Sequence, residues 1–175
     1  MNAAAADGTL EKLDDGRSRI RFERRLSHPV DRVWAALTEP DEMRKWWAAA
    51  DELELSEGGR FTIRWLNTDD EGNTAIARGT VSAVDPPRLL ELDSDIHGVM
   101  RWELRPEGEF TALTFTSTLQ LPDEYREKVL AGWHAHLDFL EDALDGRPIE
   151  DWDNWPIERW QEHHDRYATK AGDAA

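Results

Sequence analysis

The sequence contains no cysteine and no long apolar run. The lack of cysteine excludes disulfides, thiol nucleophiles and thiolate metal sites, and it is compatible with a reducing compartment. No stretch approaches the ~20 apolar residues that a membrane-spanning helix needs. Residues 1–7 also lack the basic and apolar segments of a signal peptide. We therefore expect a cytoplasmic protein without a membrane partner.

Basic residues are scarce relative to acidic ones. The 175 residues include 21 Lys and Arg against 37 Asp and Glu, which gives a formal net charge of -16 at pH 7. Such a charge repels phosphate backbones, so nucleic acid is not expected as a partner. The length suits a single domain with a substantial core and leaves no room for two.

The sequence also lacks the motifs of common enzyme and cofactor sites. It contains no phosphate-binding glycine loop, no dinucleotide fingerprint and no Gly-x-Ser-x-Gly turn. His134 and His136 are two residues apart on a predicted helix, so they point to different sides and do not share a metal ion. We therefore predict no cofactor, no metal site and no catalytic residue.

What the sequence does contain is a clear change of hydrophobic periodicity. Apolar and polar side chains alternate over 19–26, over 61–65 and in several later segments, which predicts about seven antiparallel strands. Between the first two of these segments, Pro29 begins a short amphipathic helix and Pro40 ends it. The pair Gly58-Gly59 predicts a hairpin turn.

Towards the end of the chain apolar residues recur with a period of 3.6, which predicts a long amphipathic helix that ends at Gly146. The segment 147–169 is rich in tryptophan, and we expect it to form a short helix packed on the domain or on a neighbouring copy. The chain is therefore divided into a domain over 9–146 and an extension over 147–169. Residues 1–8 and 170–175 are predicted to be disordered.

Several motifs occur in the order typical of one protein family. They are Arg24-Arg25-Leu26-Ser27-His28-Pro29, Val33-Trp34, Trp46-Trp47, Gly58-Gly59-Arg60-Phe61, Gly79-Thr80-Val81, Asp85-Pro86-Pro87-Arg88-Leu89 and Gly132-Trp133. From about Arg17 to Gly146 the chain resembles the SRPBCC (START-like) superfamily. Within it, the chain is similar to bacterial proteins related to the C-terminal domain of the activator of heat-shock-protein ATPase. The resemblance implies an α+β helix-grip fold, in which a curved antiparallel sheet wraps a long C-terminal helix and leaves an apolar cavity between them.

Histidine chemistry is the main catalytic alternative. Ser117 stands where many members of the family carry a histidine, so the resemblance does not imply a cavity histidine here. His134 and Asp138 are four residues apart and share a helix face. They form either a histidine tuned for proton transfer or an ordinary surface pair. His163 and His164 are predicted to be solvated.

The candidate ligand-binding residues face the predicted cavity. Alternation places Arg24 on the inward face of its strand, where a guanidinium needs partners. These are either a ligand carboxylate or carbonyl, or a buried acid or helix carbonyls. Trp65 and Trp102 lie on inward strand faces, whereas tryptophans on the helices belong either to the core or to the cavity wall. The full predicted set is Arg24, Trp65, Met100, Trp102, Trp133, Leu137 and Leu140.

Three functions stay open. The first is a non-catalytic protein that binds an apolar or weakly acidic small molecule between the sheet and the C-terminal helix. The second is a co-chaperone-like or regulatory protein that contacts a heat-shock ATPase weakly through its surface, as the resemblance implies. The third is a cyclase-like or hydrolase-like enzyme, which other proteins of this fold suggest by analogy. We favour the first and expect a monomer or a homodimer.

Overall fold

A computed structural model describes residues 5–69 and 71–174. Eight strands form one curved antiparallel sheet in the order β1-β2-β8-β7-β6-β5-β4-β3. The strands are β1 (Thr9–Lys12), β2 (Ser18–Leu26), β3 (Ala48–Leu53), β4 (Arg60–Trp65), β5 (Ile76–Asp85), β6 (Leu89–Ser94), β7 (Gly98–Glu107) and β8 (Phe110–Leu119). With the long helix α3 (Arg126–Leu144) this architecture confirms the predicted α+β helix-grip fold.

The sheet has eight strands rather than about seven. The additional strand, β1, pairs with the start of β2, where Leu10 lies opposite Ile20. Its sequence, Thr-Leu-Glu-Lys, has only one apolar side chain, so it shows no alternation from which a strand could be predicted. The predicted alternation of β2 is present in full, with every second residue from Ser18 to Leu26 buried.

Two short helices lie between β2 and β3. Helix α1 (Val30–Thr38) follows Pro29, and helix α2 (Pro40–Met43) begins at the proline that was predicted to end α1. The tryptophan pair that follows is fully buried. The indole N–H of Trp46 donates to the carbonyl of Ala36 at 2.8 Å. This segment therefore inserts two large rings into the core.

Helix α3 is buried on almost all sides. One side packs in the core formed with the sheet, and the side that carries Asp138 and Asp142 packs against helix α4 (Ile157–Asp173). Polar contacts join the two helices: Arg159 forms an ion pair with Asp142 at 2.6 Å, and Nε2 of His163 lies 2.7 Å from Asp138. The tryptophan-rich extension therefore covers the polar side of α3.

The described parts of both chain ends are ordered, contrary to the predicted disorder of 1–8 and 170–175. Asp7 forms ion pairs with Arg166, at 2.9 Å, and with Lys170. The amide of Gly8 donates to the hydroxyl of Tyr167 at 2.8 Å. Residues 1–4 and 175 lie outside the described residues. Within the part that the structure describes, no helix is both long and apolar enough to cross a membrane.

Candidate functional site

A cavity of about 540 Å³ opens at one end of the fold. Helix α3, the start of α4, the end of β4 with the loop that follows it, and the turn between β6 and β7 surround it. Its lining residues are Trp65, Asn67, Thr68, Asp69, Asn73, Thr74, Ala75, His97, Lys128, Val129, Gly132, Trp133, Ala135, His136, Trp155, Ile157 and Trp160. This volume lies within the range of small-molecule sites.

Tryptophan rings form much of the apolar wall of the cavity. Trp65 and Trp133 meet edge to face with ring centroids 6.1 Å apart. Trp155 and Trp160, half-buried, come from the extension. Helix α4 and the residues before it therefore complete a wall that the sheet and α3 only begin.

His136 is the most deeply buried polar residue of the cavity, with 5% of its surface exposed. Its Nδ1 lies 2.8 Å from the carbonyl oxygen of Gly132, one helical turn earlier. Because a carbonyl only accepts, Nδ1 carries the proton and donates. Burial lowers the pKa of His136 to about 4, despite this hydrogen bond, and nearby His97 adds to the effect. The ring is therefore neutral at pH 7, and its Nε2 is a hydrogen-bond acceptor.

Two other polar residues, His97 and Asn67, line the same cavity. His97 packs against Trp65 with ring centroids 4.5 Å apart and planes inclined by 32°, and burial lowers the pKa of His97 to about 4. Buried Nε2 atoms of His97 and His136 and the buried Oδ1 of Asn67 have no hydrogen-bond partner among the described residues. Such atoms are uncommon in folded proteins because an unpaired buried polar group is costly. Three of them around one cavity mark it as a place for a polar partner.

Charged side chains stand at the rim of the cavity. Lys128 and Asp69 are both exposed. The carboxylate of Asp69 accepts from the backbone amides of Glu71, at 2.9 Å, and Asn73, at 2.8 Å. These bonds favour one conformation of the loop, since an aspartate that pairs with amides ahead of it defines a turn.

The structure brings two of the predicted ligand-binding residues, Trp65 and Trp133, to the cavity. It places the other apolar members of the set in the core, with no exposed surface: Met100, Trp102, Leu137 and Leu140. Trp102, for example, packs against Trp47 and Phe115 at 5.2 and 5.0 Å between ring centroids. The rings of Trp46 and Trp47, which follow α2, fill the space that the alternation pattern alone leaves open.

Arg24 points inward as predicted but lies away from the cavity. One terminal nitrogen donates to the carbonyls of Ala6 and Glu23, both at 2.9 Å. Its Nε lies 3.4 Å from Glu141 of α3, an ion-pair distance without hydrogen-bond alignment. Burial lowers the pKa of Arg24, against the effect of Asp138 and Glu141. Of the two predicted kinds of partner for Arg24, a ligand or the protein itself, the structure shows the second: an acidic side chain and backbone carbonyls.

Sequence reasoning missed most of the polar cavity. It weighed His136 only as a metal ligand beside His134. A usable signal was present, because a histidine on the inner side of a helix is able to donate to the carbonyl four residues earlier, here that of Gly132, and this bond fixes its tautomer. Asn67, His97 and Trp155 come from turns and loops, whose positions follow no hydrophobic period.

The fold and the cavity can now be compared with known proteins. The family model described as Activator of Hsp90 ATPase homolog 1-like protein matches residues 27–145. The chain belongs to this family. A comparison with curated proteins finds none that matches.

Solved structures with the same fold cover nearly the whole chain. The solution structure of CalU16 from Micromonospora echinospora has a TM-score of 0.69 and 23% identity, with 100% of each chain covered. The protein encoded by gene BPP1335 from Bordetella parapertussis has a TM-score of 0.63 and 29% identity, over 95% of this chain and 94% of that one. EF2215 from Enterococcus faecalis has a TM-score of 0.65 and 18% identity, over 93% and 91%. Because these alignments cover nearly the whole chain, the fold that these proteins share includes most of the extension.

In this member of the Activator of Hsp90 ATPase homolog 1-like family, Ser117 helps to position a histidine of the cavity. Its hydroxyl is fully buried and donates to the carbonyl of His97 at 2.8 Å. The turn so fixed supplies one cavity histidine, and α3 supplies His136. The cavity therefore contains two histidines that the resemblance did not imply.

A second polar cluster, outside the cavity, joins α3 to α4. His134 is buried rather than part of a surface pair, and His163 is buried rather than solvated. Together with Asp138 they place three possible metal-ligand atoms within 4.8 Å of one another. Arg166, however, donates to Nδ1 of His163 at 3.0 Å, so Nε2 keeps its proton for Asp138. A metal at Nε2 needs the opposite tautomer, so these contacts favour a hydrogen-bonded cluster.

Proposed function

We propose that this protein binds a largely apolar small molecule, without catalysis, in the cavity between the end of the sheet, α3 and α4. The observation that carries the proposal is the combination in one cavity of tryptophan walls with partnerless polar atoms of His97, His136 and Asn67. Ligand sites typically pair an apolar lining with a few placed polar groups.

The size of the cavity sets the expected affinity. A cavity of about 540 Å³ suits a ligand of roughly 20 non-hydrogen atoms. At about 0.3 kcal/mol per atom, binding contributes ~6 kcal/mol, which corresponds to a dissociation constant of tens of micromolar. Such affinity is within reach of fluorescence titration.

The two other hypotheses rank lower for physical reasons. Neutral His97 and His136 are able to accept protons, but with pKa values of about 4 they are weak bases at pH 7. The cyclase-like or hydrolase-like alternative therefore comes third. The weak co-chaperone contact comes second, because it rests on the description of the family, whereas the cavity belongs to this chain.

A pair of glycine variants tests the proposal. Gly132 lines the cavity, and a Cβ added there meets only the indole nitrogen of Trp160, at 3.9 Å, so Gly132→Leu sends its remaining atoms into the cavity. Gly172 lies on α4 with no atom within 4 Å of an added Cβ, so Gly172→Leu is the matched control. Titration with the uncharged dye Nile red, followed by dye and tryptophan emission, measures binding.

The expected result is saturable dye binding by the wild-type protein and by Gly172→Leu, and a loss of at least about tenfold in affinity for Gly132→Leu. Circular dichroism spectra of the three proteins check that the fold is retained. Equal binding by both folded variants, or no saturation below roughly a millimolar, contradicts the proposal.

A further inference from the structure

We propose that the ligand of this cavity is an uncharged aromatic compound that carries a hydroxyl group, and that this hydroxyl donates a hydrogen bond to Nε2 of His136. The inference rests on the proposed function and names the class of ligand that the cavity selects. It follows from the direction of the hydrogen bonds around the cavity and from the absence of charge among its buried lining residues as the structure describes them.

The first step is the direction in which His136 can bond. The carbonyl of Gly132 occupies the Nδ1–H at 2.8 Å, so the only free nitrogen of the ring is an acceptor. That nitrogen is buried, belongs to a residue that lines the cavity and has no partner within the described residues. A ligand group that satisfies it must donate.

The second step concerns the other polar groups. Oδ1 of Asn67 is also an acceptor, while the neutral ring of His97 offers one donor and one acceptor. A hydroxyl both donates and accepts, so it is able to satisfy His136 and still accept from a neighbour. A carboxylate or an ether oxygen only accepts, and leaves Nε2 of His136 without a partner.

The third step concerns charge. The charged lining residues, Lys128 and Asp69, are exposed at the rim, and Arg24 is held elsewhere by Glu141 and backbone carbonyls. An anion that enters the cavity would lose its hydration and meet no buried cation among the described lining residues. The cavity therefore disfavours carboxylates, which corrects the predicted role of Arg24 as an anchor for a ligand carboxylate.

The last step concerns the shape of the apolar part. Four indoles, from Trp65, Trp133, Trp155 and Trp160, line the cavity. Aromatic rings pack on one another in stacked or edge-to-face arrangements that add to the gain from area alone. An aromatic ligand uses these walls better than an aliphatic chain of the same area.

Three ligands of matched size separate these requirements. At pH 7, 2-naphthol is uncharged and donates, 2-methoxynaphthalene is uncharged and only accepts, and 2-naphthoate is an anion. We expect wild-type protein to bind 2-naphthol about fivefold to tenfold more tightly than either of the others. His136→Phe keeps a ring of similar size and removes the acceptor, so it should abolish this preference. His28→Phe, at a histidine outside the cavity lining, should keep it.

The outcomes distinguish this inference from the proposed function. If Nile red binding is lost in Gly132→Leu but the three naphthalenes bind the wild-type protein equally, the cavity binds small molecules and the inference fails. Tightest binding of 2-naphthoate overturns it as well. The ligand comparison on the wild-type protein stands whether or not His136→Phe folds. If the preference for 2-naphthol persists in folded His136→Phe, then His136 is not the acceptor.

Discussion

His134 of α3 and His163 of α4 stack with ring centroids 3.7 Å apart and planes inclined by 16°. Nδ1 of His134 lies 2.8 Å from the hydroxyl of Tyr167, and Nε2 of His163 donates to Asp138 at 2.7 Å. Burial lowers the pKa of His134 to about 3, and the charges of nearby Arg24 and Arg166 add to this effect. The contact between the two helices therefore depends on a neutral imidazole.

The first prediction concerns pH. His134 has a folded-state pKa near 3 and a usual value of 6.5, so the unfolded chain binds more protons between these values. Stability should therefore be complete above pH 6.5 and fall as the pH drops towards 3. Cavity residues His97 and His136, with pKa values of about 4, act in the same direction. Thermal unfolding at pH 7.5, 6.0 and 4.5 should give progressively lower midpoints.

A variant isolates the part played by His134. His134→Phe retains an aromatic ring but cannot be protonated, so its melting temperature should be lower at pH 7.5 and depend less on pH than that of the wild-type protein. A pH dependence as steep as that of the wild-type protein would show that other groups produce it.

The second prediction concerns the hydroxyl of Tyr167. It accepts from the amide of Gly8 and bonds to Nδ1 of His134, both at 2.8 Å, and the residue is 5% exposed. Tyr167→Phe leaves two groups without this partner and should lower the free energy of unfolding by about 1–3 kcal/mol. Tyr125→Phe is the matched control, because Tyr125 is 46% exposed. Urea unfolding of both variants measures the difference, and equal stabilities would refute the role of the hydroxyl.

The third prediction concerns the extension. Deletion of residues 147–175 exposes the buried side of α3 and removes Trp155 and Trp160 from the cavity wall. The melting temperature should fall by at least about 5 °C, and binding of Nile red should weaken. A shorter deletion of 171–175 keeps Lys170 and its contact with Asp7 and is the control. An unchanged transition in the longer deletion would mean that the extension contributes nothing to the fold.

The fourth prediction concerns metals. The hydrogen bond from Arg166 holds His163 in the tautomer that donates to Asp138, so a transition-metal ion has to break two bonds to enter. Dialysis against a chelator should therefore leave the melting temperature unchanged. A fall of several degrees that one divalent ion reverses would identify the His134, Asp138 and His163 cluster as a metal site.

The fold was predictable because its main elements carry strong periodic signals. The alternation over 19–26 predicted β2 and even the inward position of Arg24, and the prolines predicted the limits of α1. Strand β1 carries no such signal, since it is held at the sheet edge by backbone pairing with β2. The order of residues 5–8 depends on Asp7 and Gly8 meeting α4, a contact between the two ends of the chain.

The site was predictable only in part because inward-facing is not the same as cavity-lining. Alternation correctly predicted that Trp102 and Met100 point inward. Whether such side chains line a cavity, however, depends on which other side chains fill the interior. Trp47 fills it, with its ring 5.2 Å from Trp102. Asn67 and His97 reach the cavity from turns whose path is set by tertiary packing.

The most direct test of cavity binding uses the indole signals of the nine tryptophans. With ¹⁵N-labelled protein and signals assigned by single Trp→Phe variants, titration with 2-naphthol should shift the signals of the lining residues Trp65, Trp133, Trp155 and Trp160. The signals of Trp34 and Trp46, outside the lining, should stay in place. Saturable shifts confined to the lining tryptophans are the predicted result. Shifts centred on Trp34 or Trp46, or no saturable shift at all, would contradict the account.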